Sequence, residues 1–308
     1  MSDLKLFRID DGKATELPSQ SLALERSLQR VIETNMETLF GVRFVDSEYS
    51  TGVRHGGRMD SIGLDENDSP VIFEYKRATN ENVINQGLFY LDWLMDHQGD
   101  FTMLVQRTLG HEAAEAIDWS NPRLICVAAG FTKYDEYAVQ QINRSIELVR
   151  YRDFEGELLA LELVGAVTGT PEPATAPALA APSRATTKTP MKTAAQLLEQ
   201  ASPALQDLHD ALTDHCLALG DDVTQKQLKH YVAFRRLKNF ACVEVHPQNA
   251  NLLVYLKVDP DTVALAEGFT RDMRGIGHFG TGELEVRIRS AEDLERAKPL
   301  LERSYESS

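Results

Sequence analysis

Val71-Ile72-Phe73-Glu74-Tyr75-Lys76 is the stretch whose reading decides the fold of this chain. Its β-branched and aromatic residues favour an extended strand. Period-two alternation sets Val71, Phe73 and Tyr75 on one face and Ile72, Glu74 and Lys76 on the other, so a carboxylate and an ammonium share a face. Just upstream, Asp65-Glu66-Asn67-Asp68-Ser69-Pro70 is rich in turn formers, and Arg58 to Leu64 before it reads as a partner strand. Val42 to Tyr49 adds a third strand, which makes a meander. Pairing of the last two strands brings Asp60 beside Glu74. Two carboxylates suit a hard cation such as Mg²⁺ or Mn²⁺, which keeps waters and takes phosphate oxygens in its open positions. Lys76 would then orient or activate a water and stabilise charge on the phosphate under attack.

Working outward, Leu24, Leu28, Val31, Ile32 and Leu39 recur at helical spacing, so one helix is expected from Ser21 to Leu39, stopped by Gly41. A second helix is expected from Val83 to Met95, carrying Gln86 and Tyr90 one turn apart on one face. Met103 to Gln106, Leu124 to Ala128 and Glu147 to Tyr151 read as strands, with a helical stretch around Tyr134 to Ile142. The order is α-β-β-β-α-β with extensions.

These residues carry a resemblance. Residues 20–108 resemble the PD-(D/E)XK nuclease superfamily, in the branch with a Q-x-x-x-Y motif on the helix after the catalytic strand. The resemblance implies an α/β restriction-endonuclease-like core and a metal-dependent DNA endonuclease or phosphodiesterase. It makes Asp60 the motif aspartate, Glu74 and Lys76 the E-x-K pair, and Gln86 and Tyr90 the trailing pair. A further carboxylate on the first helix is common in that superfamily, with Glu25 the first choice here and Glu33 the second. Met59 stands where the motif proline would be, and proline supplies no ligand. Ser47-Glu48-Tyr49 ahead of Gly57-Arg58-Met59-Asp60 resembles archaeal-type mismatch and single-strand endonucleases, without giving Glu48 a role. The whole chain also resembles bacterial proteins labelled predicted transport proteins, a label that no membrane span in the sequence supports.

The chain has 308 residues and a formal charge of −15. That charge excludes a uniformly basic nucleic-acid coat, so phosphate chemistry must rely on local cations or bound metal. Residues 168–192 (TGTPEPATAPALAAPSRATTKTPMK) hold five of the twelve prolines and no aromatic residue, the composition of a semi-rigid linker. It divides a nuclease-like domain, residues 1–167 with a net charge of −12, from a domain of residues 193–308 with −5. Three widely spaced cysteines, no C-x-x-C and no apolar run of signal-peptide length at the N-terminus lead to the expectation of a reducing cytoplasm.

In the second domain, Ala194 to Leu219 reads as one helix, Phe240 to Val245 and Leu252 to Val258 as a hairpin, Leu284 to Ile288 as a strand and Ala291 to Tyr305 as a closing helix. That is a small α+β module. From Thr224 to Val243 there is no acidic residue before Glu244, while Lys226, Lys229, Arg235, Arg236 and Lys238 interleave with Tyr231, Phe234 and Phe240. Such a run either binds nucleic acid or forms a helix with a solvated basic face and its aromatics in the core. Gly275-Ile276-Gly277-His278-Phe279-Gly280 matches G-x-G-x-x-G, but a strand follows it where dinucleotide binding needs a helix.

The reading that results is a Mg²⁺- or Mn²⁺-dependent nuclease acting on DNA, in repair or phage defence. Its alternative is a non-enzymatic nucleic-acid-binding or scaffold protein that keeps the nuclease fold. DNA is the expected partner and a membrane is not; self-association into a homo-oligomer is the other use of the second domain.

Overall fold

The computed structural model describes residues 4–20, 25–76, 83–169 and 192–308. Its fold is mixed α/β with two main β-sheets, one in each of two compact units, Met1–Glu172 and Pro173–Ser308. The expected linker over 168–192 lies outside the described residues apart from 168, 169 and 192. Among the described residues no helix is long and apolar enough to cross a membrane.

The first unit begins with a hairpin, β1 (Leu6–Asp10) and β2 (Lys13–Leu17), turned at Asp11-Gly12, where both residues have positive φ. An Asp-Gly pair is itself a hairpin signal in sequence. A short β3 (Ser19–Gln20) follows, then α1 (Glu25–Thr34) and α2 (Met36–Phe40). The single helix expected over Ser21 to Leu39 is thus broken at Asn35, whose side chain donates to the Val31 carbonyl (2.8 Å), and residues 21–24 lie outside the described set. Gly41 ends α2 at φ +63. Next come β4 (Val42–Ser50), α3 (Gly52–His55), β5 (Arg58–Asp65) and β6 (Pro70–Lys76), an antiparallel meander as the sequence indicates.

After β6 the chain crosses through α4 (Val83–Asp96), α5 (Gln98–Leu109) and α6 (His111–Ala116) before β7 (Arg123–Ala128) pairs parallel to β6. Then α7 (Lys133–Val139) leads to β8 (Ser145–Phe154), parallel to β7, and β9 (Leu158–Val167) folds back on β8. The strand expected over Met103 to Gln106 is part of α5 instead. Phe101, Leu104 and Val105 are its buried residues, at i, i+3 and i+4, a spacing that a four-residue window is too short to reveal.

The sheet order is β3-β8-β7-β6-β5-β4, with β9 on the other side of β8. Both faces are covered, which is why β6 and β7 read as nearly continuous apolar runs. Ile72, Leu124, Ile146 and Leu148 form one core with Val83, Leu91 and Leu94 of α4, and Phe73 meets Phe40 of α2 edge-on at 5.1 Å. Gly87 lets α4 lie close, since a Cβ there would fall 2.4 Å from Leu124. At one end of the sheet the buried Arg123 neutralises Asp65 and Glu147, each at 2.8 Å. The candidate site lies at the other end.

The second unit has α8 (Ala194–Glu199) and α9 (Pro203–Ala218), then β10 (Thr224–Gln227), β11 (Val232–Arg235), β12 (Asn239–His246), β13 (Asn251–Leu256), β14 (Thr270–Asp272), β15 (Leu284–Ile288) and α10 (Ala291–Glu306). The strands form one antiparallel sheet in the order β10-β11-β12-β13-β15-β14. Leu205, Leu208 and Leu212 of α9 and Leu294, Ala297 and Leu301 of α10 build its core against Val243, Val254 and Val286. The helix expected over Ala194 to Leu219 is interrupted at Ser202-Pro203, where the Ser202 hydroxyl caps α9 by accepting from the Leu205 N–H (3.3 Å).

Candidate functional site

The β5–β6 ladder pairs Ile62 with Ile72 and Ser61 with Phe73, and stops there. One position further, the same register sets Asp60 opposite Glu74. Side chains take over from the backbone: Glu74 Oε1 accepts the Asp60 N–H (3.4 Å) and Asp60 Oδ2 accepts the Tyr75 N–H (3.0 Å). Glu74 is fully buried, with Cys126 of β7 as its parallel neighbour, and its Oε2 has no hydrogen-bond partner among the described residues. Burial and then repulsion by Asp60 push Glu74 up to about 9; burial pushes Asp60 up to about 6 against the Tyr75 hydrogen bond and Lys76. Asp65 and Glu147, buried in the same sheet, are instead each bound by Arg123.

Lys76 ends β6 and its Nζ lies 3.4 Å from Glu25 Oε1 at the start of α1, which packs across β5 and β6. Burial alone would lower the ammonium's pKa, but Glu25, Asp60 and Glu74 outweigh it and hold it above its usual value. Glu33, two turns along α1, is not part of this group. Its Oε1 accepts from Gln29 Nε2 (3.0 Å), Ser47 Oγ (2.7 Å) and Ser61 Oγ (2.6 Å), tying α1 to β4 and β5.

Gln86 and Tyr90 sit one turn apart on α4, as their spacing indicates, and act on the start of β5. The Tyr90 hydroxyl accepts both the Gln86 Nε2–H (3.2 Å) and the backbone N–H of Arg58 (3.1 Å), two residues before Asp60. Gly57 leaves the space, since a Cβ there would fall 2.5 Å from the Tyr90 ring. His55 packs against Phe89 and against His97, which stacks on Trp93 at 4.2 Å. Arg58 itself was not singled out from the sequence. Its Nε is 2.7 Å from Glu48 Oε2, and the signal that was available is the i, i+2 spacing that puts Arg58 on the face of Asp60.

Comparison with known proteins finds distant similarities. Residues 194–308 match a family described as a domain of unknown function (DUF5655). An uncharacterized protein of Haemophilus influenzae is 24% identical over 310 residues, which span 98% of this chain and 99% of that protein. Among solved structures, a repair endonuclease from Pyrococcus abyssi aligns with 44% of this chain and half of its own (50%), at 20% identity and a TM-score of 0.29. The structure of an EndoMS complex with double-stranded DNA aligns with 42% of this chain and 47% of its own, at 19% identity and a TM-score of 0.25. The likeness to repair endonucleases is therefore partial.

Among the described residues no group of three or more His, Cys, Asp or Glu side chains is arranged to hold a metal ion. The pair Asp60 and Glu74 still fits Mg²⁺ or Mn²⁺ by its donor chemistry. Mg²⁺ takes one or two carboxylates and fills its remaining positions with water and substrate phosphate. Glu74 Oε2 is buried with no hydrogen-bond partner among the described residues, and the repulsion between Glu74 and Asp60 is eased by a divalent cation more than by any neutral partner.

The basic stretch of the second unit is neither a helix nor an exposed cluster; it forms β10 and β11. Lys226 and Arg235 are buried, and Arg235 donates to the Leu237 carbonyl (2.8 Å). Arg236 pairs with Asp222 (2.7 Å) and lies over the Tyr305 ring. Lys238 is half-buried, which leaves Lys229 as the one exposed member of the five. Lys226 and Arg235 lie on strands and the other three in bends between them, a division between buried and solvated positions that a count of charges does not register.

Proposed function

We propose that residues 1–167 are a Mg²⁺- or Mn²⁺-dependent phosphodiesterase with a restriction-endonuclease-like core, acting on DNA. One observation carries this reading: two carboxylates from adjacent strand ends converge with one buried oxygen unpartnered, and a lysine stands beside them. A divalent cation held by Asp60 and Glu74 would supply electrostatic stabilisation of the phosphate under attack. The chain's own groups do the remaining work. Lys76, kept protonated by its three acidic neighbours, donates to a non-bridging phosphate oxygen and so favours the more highly charged transition state. Glu25 holds Lys76 in place from α1. Tyr90, steadied by Gln86, fixes the backbone from which Asp60 projects.

The test is cleavage of plasmid and of single- and double-stranded oligonucleotides in Mg²⁺, Mn²⁺ and EDTA. Cleavage is expected with either cation, none in EDTA, and none by Lys76→Ala. A Lys76→Ala protein as active as the parent refutes the assignment.

A further inference from the structure

Arg58, two residues before Asp60 on β5, is a cation of this strand whose side chain is largely open to solvent. Lys76 is committed to Glu25 and is mostly buried; Arg150, opposite Ala128 on β8, is mostly buried and pairs with Glu162 at 3.5 Å. The Arg58 side chain is 60% exposed and touches the protein through Nε, 2.7 Å from Glu48 Oε2. Neither of its Nη groups donates a hydrogen bond to any described residue. A guanidinium held at one nitrogen and largely exposed is suited to recognise phosphate.

Two features show that this arrangement is built. Glu48 holds a left-handed backbone, φ +54, within the nine-residue strand β4, a conformation that costs a non-glycine residue on the order of 1 kcal/mol or more and concentrates at functional positions. Its neighbours Ser47 and Tyr49 pair with Ser61 and Met59, so Glu48 lies opposite Asp60. From the other side, the Tyr90 hydroxyl fixes the Arg58 backbone N–H at 3.1 Å. The side chain and the main chain of Arg58 are thus each anchored by a different element.

We infer that Arg58 binds a phosphate next to the one cleaved, forming a second phosphate subsite on the same strand of nucleic acid. Alternation puts Arg58 on the face of Asp60, and two residues of strand separate them by about 7 Å, roughly one nucleotide step of an extended backbone. Glu48 acts as a positioning residue, keeping the guanidinium extended when no phosphate is present. This inference rests on the proposed phosphodiesterase activity for its location, and its test separates the two.

Arg58→Ala, Arg58→Lys and, as a control on the remote hairpin, Arg8→Ala are compared with the parent. Cleavage of a 20-nucleotide strand is read alongside hydrolysis of bis(4-nitrophenyl) phosphate, which has one phosphate, and binding of the strand is read in Ca²⁺ against salt. Loss of one charge-assisted contact should raise KM for the strand about tenfold in Arg58→Ala with a smaller fall in kcat, and lower the salt slope by about one phosphate's share. Arg58→Lys should keep the slope and recover part of the affinity, because the charge remains without the fork. The single-phosphate substrate should lose much less than the strand. Equal losses on both substrates would make Arg58 a ligand of the reacting phosphate and overturn the adjacent subsite. Parent-like KM and salt slope in Arg58→Ala, with Lys76→Ala inactive, would overturn the inference and leave the enzyme assignment standing. A parent that cleaves nothing while Arg58→Ala still lowers the salt slope would support the subsite and refute the enzyme.

Discussion

Replacing Glu74 by Gln should stabilise the metal-free protein, increasingly so as pH rises. Burial and Asp60 lift this carboxyl from 4.5 to about 9, so between those values the folded chain keeps a proton that the unfolded chain has released. The unfolded state then binds fewer protons than the folded one, and stability falls as pH rises, by about 1.4 kcal/mol per unit. From pH 5 to pH 8 the loss traceable to Glu74 is about 4 kcal/mol, which for a unit of this size is a Tm difference of roughly 8–16 °C. Gln is nearly isosteric, and its amide oxygen can still accept the Asp60 N–H, but it carries no titrating proton. The assay is thermal unfolding of parent and Glu74→Gln in EDTA at pH 5, 6.5 and 8, followed by the transition of the first unit. Taking the difference between the two proteins cancels most of the titrations they share. The gap should widen towards pH 8 and narrow when Mg²⁺ is added, because the cation binds the folded, ionised parent. Parallel pH profiles would show that Glu74 ionises normally and would remove the electrostatic basis of the site.

Tyr90→Phe removes the acceptor of both the Arg58 N–H and the Gln86 amide, so it should cost about 1–2 kcal/mol and lower kcat. Gln86→Ala should do less on both measures, since Arg58 keeps its acceptor; the reverse order in unfolding and rate measurements would contradict the positioning role. Limited proteolysis should cut first between Thr168 and Lys192 and leave two folded fragments, read by mass and by cooperative unfolding of each. An earlier cut elsewhere, or an insoluble fragment 193–308, would show that the two halves depend on each other.

The sequence by itself was enough for the meander of β4, β5 and β6, for the face shared by Glu74 and Lys76, and for the helical pairing of Gln86 with Tyr90. These depend on periods of two and three to four residues, which short-range sterics impose before any tertiary contact forms. The preference for Glu25 over Glu33 came from the family resemblance; in the structure Glu25 lies 3.4 Å from Lys76, whereas Glu33 accepts from Gln29, Ser47 and Ser61. The tertiary structure decided what depends on distant residues. Met103 to Gln106 became helix because its apolar side chains meet a core on one side only. Of the five basic residues after Thr224, Lys226 and Arg235 fell on strands and are buried, while Lys229, Arg236 and Lys238 fell in the bends between strands. Arg58 gained significance only when Glu48, ten residues earlier, and Tyr90, thirty-two residues later, were brought to it. Local pattern sets which way a side chain points; its charge state and its partners depend on what packs around it, and that is a property of the assembled sheet.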